Sequence, residues 1–507
     1  MINRDGTRTS LWQDVDPFTP INTADNATTY DVIIAGGGIT GLSTALVLQE
    51  AGKKCLVLEA ANLCFGTTGG TTAHLNTLVD TPYTTISNDF GKDGAKLVAR
   101  ATAQAIQLVK RNISTYNIDC GFKDRKGYVF SQDEKQTKDL QDIQAATAEA
   151  GVACSLVNEL PIPVPYQSVM VAEGQADFHP VNYVFGLAKA FEAVGGVIVE
   201  NCRVESSEDK EPLKVITTRG EFLARALIYA THIPPSINFL DLRLSPYRSY
   251  AIAVKLQSEE YPQDLYYDMY DPYNYYRTQE VNGEKYFIVG GADHKTAHED
   301  NTEKCFRNME SLVRKYFDVK ETAFQWSSQF YEPTDGLPYI GHLPGHPNNV
   351  FVATGFSGNG MVYSHVSAIV LKSIIFKEES PYISLFSPSR VKPVAGFKEF
   401  VAHNVDVAKQ FVSKWFAYDK IQELADLAPG EGRLVKYNDE KIALYKDEQS
   451  NLHAVNPTCA HMKCSVSWNI AEKSWDCPCH GARYNVKGEV VTGPANNNLE
   501  QIDIRKS

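Results

Sequence analysis

The sequence predicts an α/β chain followed by a small all-β domain, and three observations support this fold class. An apolar run, Val32–Ala35, leads through a glycine cluster into the alternating apolar face of a helix. A second apolar run, Cys55–Leu58, follows Gly52 and ends at Glu59, which closes a strand–helix–strand unit within about 30 residues. From Tyr418 onward, short apolar strands alternate with Asn and Asp turn residues.

Length and charge narrow the possible functions. The 507 residues exceed one typical core and predict two or three domains. The formal net charge of −12 argues against nucleic-acid binding, because phosphate neutralisation needs clustered Lys and Arg, and it favours a small-molecule or protein partner. No run approaches the roughly 20 apolar residues that span a bilayer, and no apolar signal region follows Met1–Asp5. We therefore expect a cytoplasmic protein without a transmembrane segment.

The chain divides into four parts. Residues 1–28 are polar, contain two prolines and predict an arm laid over the surface. A large domain, 29–378, includes two further apolar runs that we expect to join its sheet, Val197–Glu200 and Ala226–Ala230. The connector 379–417 has apolar residues at helical spacing, and the predicted amphipathic helix either bridges two domains or closes the first; these residues are Phe397, Phe400, Val401, Val407, Phe411 and Trp415. The all-β domain is 418–507.

The glycine cluster fits a dinucleotide-binding loop. Gly36, Gly38 and Gly41 satisfy G-x-G-x-x-G between a strand and a helix, and Glu59 follows 23 residues after Gly36. The first glycine permits the tight turn, the second lets the backbone approach a pyrophosphate, and the third allows close packing of helix and strand. Glu59 is expected to bind the ribose hydroxyls. The motif leaves FAD and NAD open as the cofactor.

Four of the ten cysteines lie in the last fifth of the chain and indicate a metal site. Cys459 and His461 give C-x-H, and after fifteen intervening residues Cys477 and His480 give C-x-x-H. Two thiolates and two imidazoles are the ligands of a Rieske [2Fe-2S] centre, although the same set suits tetrahedral zinc. We expect the other six cysteines, Cys55, Cys64, Cys120, Cys154, Cys202 and Cys305, to be reduced thiols.

Two segments near the end of the large domain carry a resemblance to a known family. The runs Asp335–Gly341 and Val350–Gly360 resemble the D-amino-acid oxidase and glycine oxidase family, over roughly residues 29–376. The resemblance implies a Rossmann-like FAD-binding domain with a substrate sheet. It also implies the following FAD contacts beyond the glycine loop: Thr67 and Thr68 beside the flavin, Val204 at the adenine, and the backbone of Gly355, Gly358 and Gly360 at the flavin ring. We expect FAD to be non-covalent, because Gly70 and Tyr331–Thr334 stand where some relatives carry a tethering His or Cys.

The metal motif carries a second resemblance. Its loops, Cys459–Cys464 and Cys477–Gly481, resemble Rieske proteins of the cytochrome bc type, whose cluster loops are joined by a disulfide, here between Cys464 and Cys479. By the same resemblance, Gly493–Ala495 corresponds to the proline loop that covers the cluster, and Tyr484 to the donor to a ligand sulfur. Ala482 replaces a Ser that often donates to a cluster sulfide. Its loss predicts a reduction potential below the top of the Rieske range of about −150 to +300 mV.

The substrate side gives weaker signals. In the oxidases that the chain resembles, an Arg and Tyr pair grips the substrate carboxylate, and Arg277 with Tyr276 is the candidate pair, with Arg248 a rival. The alternative interpretation is that Arg277 is a surface strand residue and that the tyrosines of the aromatic run Tyr270–Arg277 pack a sheet face. His294 is either a base or a structural histidine.

Together the two motifs resemble bacterial fusions of a D-amino-acid-oxidase-like FAD domain with a Rieske domain. The function this implies is an FAD-dependent oxidoreductase that oxidises a C–N bond of an amine or amino acid and passes electrons singly through the [2Fe-2S] cluster to an external acceptor. Three alternatives remain open: a reductase with electrons entering at the cluster, a non-catalytic electron carrier or redox sensor, and a binding module.

Overall fold

The large domain is built on an eight-stranded sheet that holds the glycine loop. A computed structural model of the chain describes residues 1–391, 402, 404–407, 419–420, 427–437 and 440–504. The central strands of the sheet run parallel, as a strand–helix–strand unit requires. In spatial order the main strands are Tyr339–His342, Val350–Thr354, Gly220–Tyr229, Thr29–Ala35, Cys55–Leu58 and Val197–Val199, and the hairpin Val204–Glu208 and Leu213–Thr217 joins Gly220–Tyr229.

A nine-stranded, mostly antiparallel sheet forms the second layer of the large domain. Its strands come from distant parts of the chain, so it forms only when long-range contacts do. In spatial order they are Val319–Pro333, Leu244–Leu256, Glu284–Lys295, Tyr275–Val281, Leu265–Asp268, Lys123–Ser131, Ser168–Asp177 and His74–Leu75, with Cys154–Val157 paired to Ser168–Asp177. This sheet corresponds to the expected substrate sheet.

Helices cover the sheets of the large domain. They are Ile39–Glu50, Tyr83–Tyr116, Glu134–Glu149, Pro180–Ala193, Thr302–Tyr316, Gly360–Phe376 and Pro381–Leu385, with 3₁₀ turns at Thr67–Gly70 and Phe239–Leu242. Helix Ile39–Glu50 packs against Gly360–Phe376, and most residues of both helices are buried. None of the helices in the described ranges combines the length and the apolarity that crossing a bilayer demands.

The C-terminal part of the chain is all-β, as predicted. Its first sheet contains Asp419–Lys420, Gly432–Tyr437, Glu440–Lys446 and Leu452–Val455, and its second contains Ser467–Asn469, Ser474–Asp476, Arg483–Tyr484 and Val490–Thr492. The α/β prediction for the large domain and the all-β prediction for this module are therefore both confirmed.

The first half of the N-terminal arm is largely buried, which corrects the prediction from its polarity for residues 1–13, whereas residues 14–28 are exposed or half-buried. Ile2, Leu11 and Trp12 are buried in the core of the large domain. The indole Nε1 of Trp12 donates to the carbonyl of Thr71 at 2.6 Å, and Ser10 Oγ donates to the carbonyl of Gly69 at 2.6 Å. The burial of a few apolar side chains decides the position of this segment despite its polar composition. The segment lies between the two domains, and its polar groups form hydrogen bonds with both.

A cluster of six buried charges joins the arm, the antiparallel sheet and the C-terminal module. It contains three guanidinium groups and three carboxylates, each with a side chain no more than 2% exposed: Arg4, Arg248, Arg483, Asp5, Glu472 and Asp476. Arg483 lies 3.2 Å from Asp476 and 3.5 Å from Asp5, and Arg248 lies 3.9 Å from both Glu472 and Asp476. The opposite charges offset part of the cost of removing them from water.

Part of the predicted connector can be located. Residues up to Val391 pack on the large domain, where Arg390 forks onto Asp335 at 2.6 and 2.7 Å. Of the predicted amphipathic helix, Val407 lies in a described helical stretch and contacts the core of the C-terminal module. Phe397, Phe400, Val401, Phe411 and Trp415 lie outside the described residues.

We predict that Arg483→Met destabilises the protein strongly, because it removes the closest positive partner of Asp476 and one of the two guanidinium groups that lie 3.5 Å from Asp5. Breaking a buried pair in this way costs about 3–5 kcal/mol of unfolding free energy. Arg111→Met is the matched control: Arg111 binds Glu50 in a fork at 2.8 and 2.9 Å, but its side chain is 49% exposed. Its loss should cost no more than about 1 kcal/mol. Urea unfolding followed by circular dichroism measures both, and equal losses would contradict the proposed importance of the cluster.

Candidate functional site

A cavity of about 500 Å³ lies between the two sheets of the large domain. It runs from the glycine loop to the antiparallel sheet, and residues of the C-terminal module line part of its wall. Of the predicted cofactor residues, those lining the cavity are Gly36, Gly38, Glu59, Thr67, Thr68, Val204, Gly358 and Gly360. Gly41 and Gly355 do not line it.

The geometry of the glycine loop suits a pyrophosphate. Gly36 has φ +115°, a conformation that favours glycine, and a Cβ on Gly41 would lie 1.8 Å from the Gly36 carbonyl oxygen. The N-cap residue of helix Ile39–Glu50 is Gly38, which has no side chain to cap it, and the first turn carries no acidic residue. Its positive end is therefore available to an anionic ligand. These features fit the phosphates of FAD.

Glu59 lies where a nucleotide ribose is expected. Its carboxylate accepts the backbone N–H groups of Gly37 at 2.6 Å and Ala61 at 2.9 Å, which fixes its orientation. Burial raises the pKa of Glu59, although these hydrogen bonds and the nearby Arg203 act in the opposite direction. Arg203 and Val204 line the same end of the cavity.

The loop 355–359, which precedes helix Gly360–Phe376, lies at the other end of the cavity. Gly355 has φ +74° and turns the chain after strand Val350–Thr354. The backbone N–H of Gly358 donates to Asp80 at 2.6 Å, and the backbone N–H of Asp80 donates to Asn359 Oδ1 at 2.6 Å. Thr67 and Thr68 stand in the 3₁₀ turn Thr67–Gly70, and Thr68 Oγ1 accepts from the backbone N–H of Ile39 at 3.1 Å.

The predicted pair Arg277 and Tyr276 does not reach the cavity, and we correct that expectation here. Arg277 is fully buried and donates to the carbonyls of Thr72 at 2.8 Å and Ala73 at 2.7 Å, so its guanidinium holds the chain in place. Tyr276 projects from the other face of the sheet, where its ring stacks on Phe287. Consecutive strand residues point to opposite faces, which separates Tyr276 from the cavity-lining Tyr275.

The two weaker candidates are also structural. Arg248 is buried in the charge cluster. His294 is held between the hydroxyl of Tyr250 at 2.9 Å and the carbonyl of Lys295 at 2.8 Å, and burial lowers its pKa.

Other residues, which the sequence did not single out, line the substrate end of the cavity. They are His74, Tyr267, Tyr273, Tyr275, Asp293 and Trp326. The aromatic run at Tyr270–Arg277 was a signal for part of this set, and two-residue alternation would have favoured Tyr273 and Tyr275. Asp293 gave no comparable signal, because it stands at an unremarkable strand position next to His294.

The predicted cluster ligands lie together in the C-terminal module. Cys459, His461, Cys477 and His480 are all buried, and the two imidazole centroids are 5.1 Å apart. Each of the two cysteines is a free thiol, and the Cys477 thiol lowers the pKa of Cys459 to about 6 through their hydrogen bond. The Nδ1 of His461 has no hydrogen-bond partner within the described parts of the chain. Two buried sulfurs and two buried imidazoles fit the donor set of a Rieske [2Fe-2S] cluster.

A disulfide joins the two cluster loops. Cys464 and Cys479 are bonded to each other, with Cα atoms 6.5 Å apart. The sulfurs of Cys464, Cys477 and Cys479 also lie within 4.8 Å of one another. Because two of those three sulfurs are consumed by the disulfide, this trio does not offer three thiolates. The remaining thiols, Cys459 and Cys477, are the pair predicted as ligands.

The Tyr484 hydroxyl is oriented toward a ligand sulfur. It accepts the backbone N–H of Ala460 at 3.0 Å and lies 3.2 Å from Cys459 Sγ. Since a thiolate sulfur can only accept, the hydroxyl proton points at Cys459 when that residue is ionised. Ala482 is fully buried and offers no side-chain donor.

The two cluster loops contact the large domain directly. The hydroxyl of Tyr331 donates to the carbonyl of His480 at 3.1 Å, and Gln329 Nε2 donates to the carbonyl of Gly481 at 2.8 Å. Gly481 has φ +72°, and a Cβ there would lie 2.7 Å from Pro246. Asp241 Oδ2 lies 3.4 Å from His461 Nε2. The histidine edge of the site is therefore buried against the large domain.

We predict that Tyr484→Phe lowers the midpoint potential of the cluster, because a hydrogen bond to a ligand sulfur favours the reduced, more negative state. A bond of about 1–1.5 kcal/mol corresponds to about 40–60 mV for one electron. Redox titration followed by EPR measures the change. Tyr445→Phe, a buried tyrosine of the same module, is the control and should leave the potential unchanged. An unshifted potential in Tyr484→Phe would contradict the assigned role.

Comparison with known proteins agrees with this geometry. Residues 31–373 match the family described as FAD dependent oxidoreductase, and residues 414–503 match the Rieske [2Fe-2S] domain. The chain is 33% identical over 484 residues to YhfW of Bacillus subtilis (strain 168), named as a Rieske 2Fe-2S iron-sulfur protein, and the match covers 94% of each chain. It is 24% identical to gamma-glutamylputrescine oxidoreductase of Escherichia coli (strain K12), over 71% of this chain and 86% of that protein.

Among solved structures, glycine oxidase from Geobacillus kaustophilus has the same fold as the large domain. It superimposes with a TM-score of 0.61 at 18% identity, over 72% of this chain and 99% of the oxidase. Two cofactors follow from these matches, FAD in the large domain and a [2Fe-2S] cluster in the C-terminal module. The chain belongs to the FAD dependent oxidoreductase family and carries a Rieske [2Fe-2S] domain at its C-terminal end.

Proposed function

We propose that this oxidoreductase oxidises a C–N bond of an amine or amino acid and passes the electrons singly to an external acceptor through its Rieske domain. The observation that carries the proposal is the direct contact between the cavity wall and the cluster loop. Tyr331 and Gln329 both line the cavity, and both donate hydrogen bonds to the carbonyls of His480 and Gly481.

The proposed reaction is balanced as follows. The carbon next to nitrogen loses a hydride and the nitrogen loses a proton, which leaves an imine. Water hydrolyses the imine to a carbonyl compound and ammonia, or to a carbonyl compound and an amine where the nitrogen carries a second carbon substituent. FAD, when bound, accepts a hydride, and a [2Fe-2S] cluster carries one electron at a time. The residues proposed to hold FAD are Gly36, Gly38, Gly41, Glu59, Thr67, Thr68, Val204, Gly355, Gly358 and Gly360. Those proposed to hold the cluster are Cys459, His461, Cys477 and His480.

The short route between the two sites favours internal electron transfer. Tyr331 packs edge-on against His232 with centroids 4.7 Å apart, and both rings line the cavity. One hydrogen bond then separates the Tyr331 hydroxyl from the backbone of His480, a proposed cluster ligand. Electron transfer slows steeply with distance, so this route is faster than one through solvent.

Burial of the cluster site supports a role inside the chain. His461 is 8% exposed and His480 is 2% exposed, and Asp241 of the large domain faces His461. A redox partner that docked on the histidine edge would first have to displace the large domain. An isolated electron carrier has no need of this arrangement. The relative named gamma-glutamylputrescine oxidoreductase supports an amine-derived substrate.

Anaerobic reduction of the two cofactors tests the direction of electron flow. Under anaerobic conditions, at least one amine or amino acid from a broad panel should bleach the flavin absorbance, and the EPR signal of a reduced Rieske cluster should follow. The oxidised protein without substrate is the control. If only a reduced electron donor produces both signals, electrons enter at the cluster and the reductase alternative replaces this proposal. If nothing but dithionite reduces either cofactor, the carrier or sensor alternative gains support.

Substitution of Tyr331 tests the contact between the cavity wall and the cluster loop. Tyr331→Phe should leave the rate of flavin bleaching within error and slow the appearance of the reduced cluster severalfold, because it removes the hydrogen bond to the His480 carbonyl. Stopped-flow absorbance with rapid-freeze EPR separates the two rates. Tyr382→Phe is the matched control, since its buried hydroxyl binds Gln104 at 3.0 Å, far from both sites. Equal cluster rates in the two variants would argue against the proposed route.

A further inference from the structure

Three tyrosines and a histidine line the substrate end of the cavity, and we call this group the tyrosine box: His74, Tyr267, Tyr273 and Tyr275. The His74 ring lies 5.3 Å from those of Tyr267 and Tyr275, and the Tyr273 ring lies 5.7 Å from Tyr275 and 6.5 Å from Tyr267. The box lies next to the loop 355–359. Tyr273 of the box and Gly358 of the loop both donate hydrogen bonds to the carboxylate of Asp80.

The hydroxyls of the box already have partners. The Tyr273 hydroxyl donates to Asp80 at 3.2 Å, and that of Tyr275 pairs with Ser249 at 3.1 Å. The Tyr267 hydroxyl accepts from Asn76 at 3.0 Å and lies 2.8 Å from His74 Nδ1. These bonds fix the rings and leave few hydroxyl protons for a carboxylate ligand.

The charge around the box is negative. Asp293 lines the cavity beside Ser249, and its Oδ1 is buried without a hydrogen-bond partner among the described residues. Burial, opposed by Ser249 and reinforced by Asp80 and Asp271, raises the pKa of Asp293 to about 7. A bound cation would relieve this penalty. Burial also lowers the pKa of His74 well below its usual range, which keeps that ring neutral.

No Arg or Lys side chain in the described part of the chain is placed to bind a substrate carboxylate at the box. Among the described residues that line the cavity, Arg203 is the one Arg or Lys, and it lies at the nucleotide end beside Glu59. Arg277 does not line the cavity, and it donates to the carbonyls of Thr72 and Ala73 and to Gln279.

We propose that the tyrosine box and the Asp293 carboxylate bind the ammonium group of an amine substrate, and that the substrate class is a cationic amine without an α-carboxylate. Aromatic rings attract cations through their faces, and the attraction strengthens where water is excluded. An orphan carboxylate oxygen beside them supplies the counter-charge. This inference deepens the proposed function, on which its assignment of the box as a substrate site rests.

The test is a binding measurement on the oxidised FAD-loaded and cluster-loaded protein, which needs no turnover. Three probes of similar shape are titrated at constant ionic strength: tetramethylammonium, neutral tert-butanol and anionic pivalate. The readout is perturbation of the flavin absorbance spectrum, with calorimetry as a second measurement. We expect tetramethylammonium to bind at least about tenfold more tightly than either of the others. Pivalate binding as tightly as the cation would overturn the proposal.

Variants identify the groups responsible. Asp293→Asn keeps the shape of the side chain and should weaken tetramethylammonium at least about tenfold. Asp271→Asn is the matched control, because Asp271 is exposed nearby and should alter binding little. Tyr273→Leu removes one ring and should weaken binding about three- to thirtyfold, which keeps the proposal testable if Asp293→Asn loses FAD. Unchanged affinity in both Asp293→Asn and Tyr273→Leu would refute it.

A turnover comparison separates this inference from the proposed function. Isobutylamine and valine differ only by the α-carboxylate, and we expect kcat/KM to favour the amine. If valine and other amino acids are oxidised better than their decarboxylated counterparts, the proposed function stands and the cation site is refuted. If tetramethylammonium binds through Asp293 but no amine or amino acid reduces the flavin, the cation site stands and the proposed function fails.

Discussion

The arrangement of the whole molecule depends on six buried charges between its domains. Three guanidinium groups and three carboxylates, drawn from the N-terminal arm, the antiparallel sheet and the Rieske domain, are removed from water together. No single segment can bury its share alone, because an isolated charge in a low-dielectric interior is strongly unfavourable. The Rieske domain is therefore held in one position, and that position brings His480 against Tyr331.

This constraint also shapes the cavity. Val490–Gly493 and Ala495 of the Rieske domain line the same end of the cavity as Arg203 and Val204, so the second domain helps to enclose the end where the nucleotide is proposed to bind. The loop expected to cover the cluster, Gly493–Ala495, therefore contacts both domains. Ala495 packs in the Rieske core, and the Pro494 carbonyl accepts the backbone N–H of Ser236 of the large domain at 3.2 Å.

Sequence patterns predicted the elements that depend on local chemistry. The G-x-G-x-x-G loop requires glycines at fixed spacing, the four cluster ligands come in two tight motifs, and the disulfide followed from a family resemblance. The substrate end could not be predicted, because it combines single residues from strands that are distant in sequence. Arg277 was predicted to bind the substrate but donates to backbone carbonyls instead, whereas Asp293, which belongs to no motif, lines the cavity. The first half of the arm was misplaced because polarity describes composition and not which few side chains are buried.

The arm has a consequence for how the protein is made. Asp5 contacts Arg483, a partner 478 residues later in the chain. During synthesis the arm leaves the ribosome first, yet its charged residues have no complete set of partners until the last domain has emerged. Contacts of such long sequence separation form slowly, and domains otherwise fold as they appear. The charge cluster is therefore completed only after the Rieske domain has been synthesised, although Trp12 and its apolar neighbours can already pack in the core of the large domain.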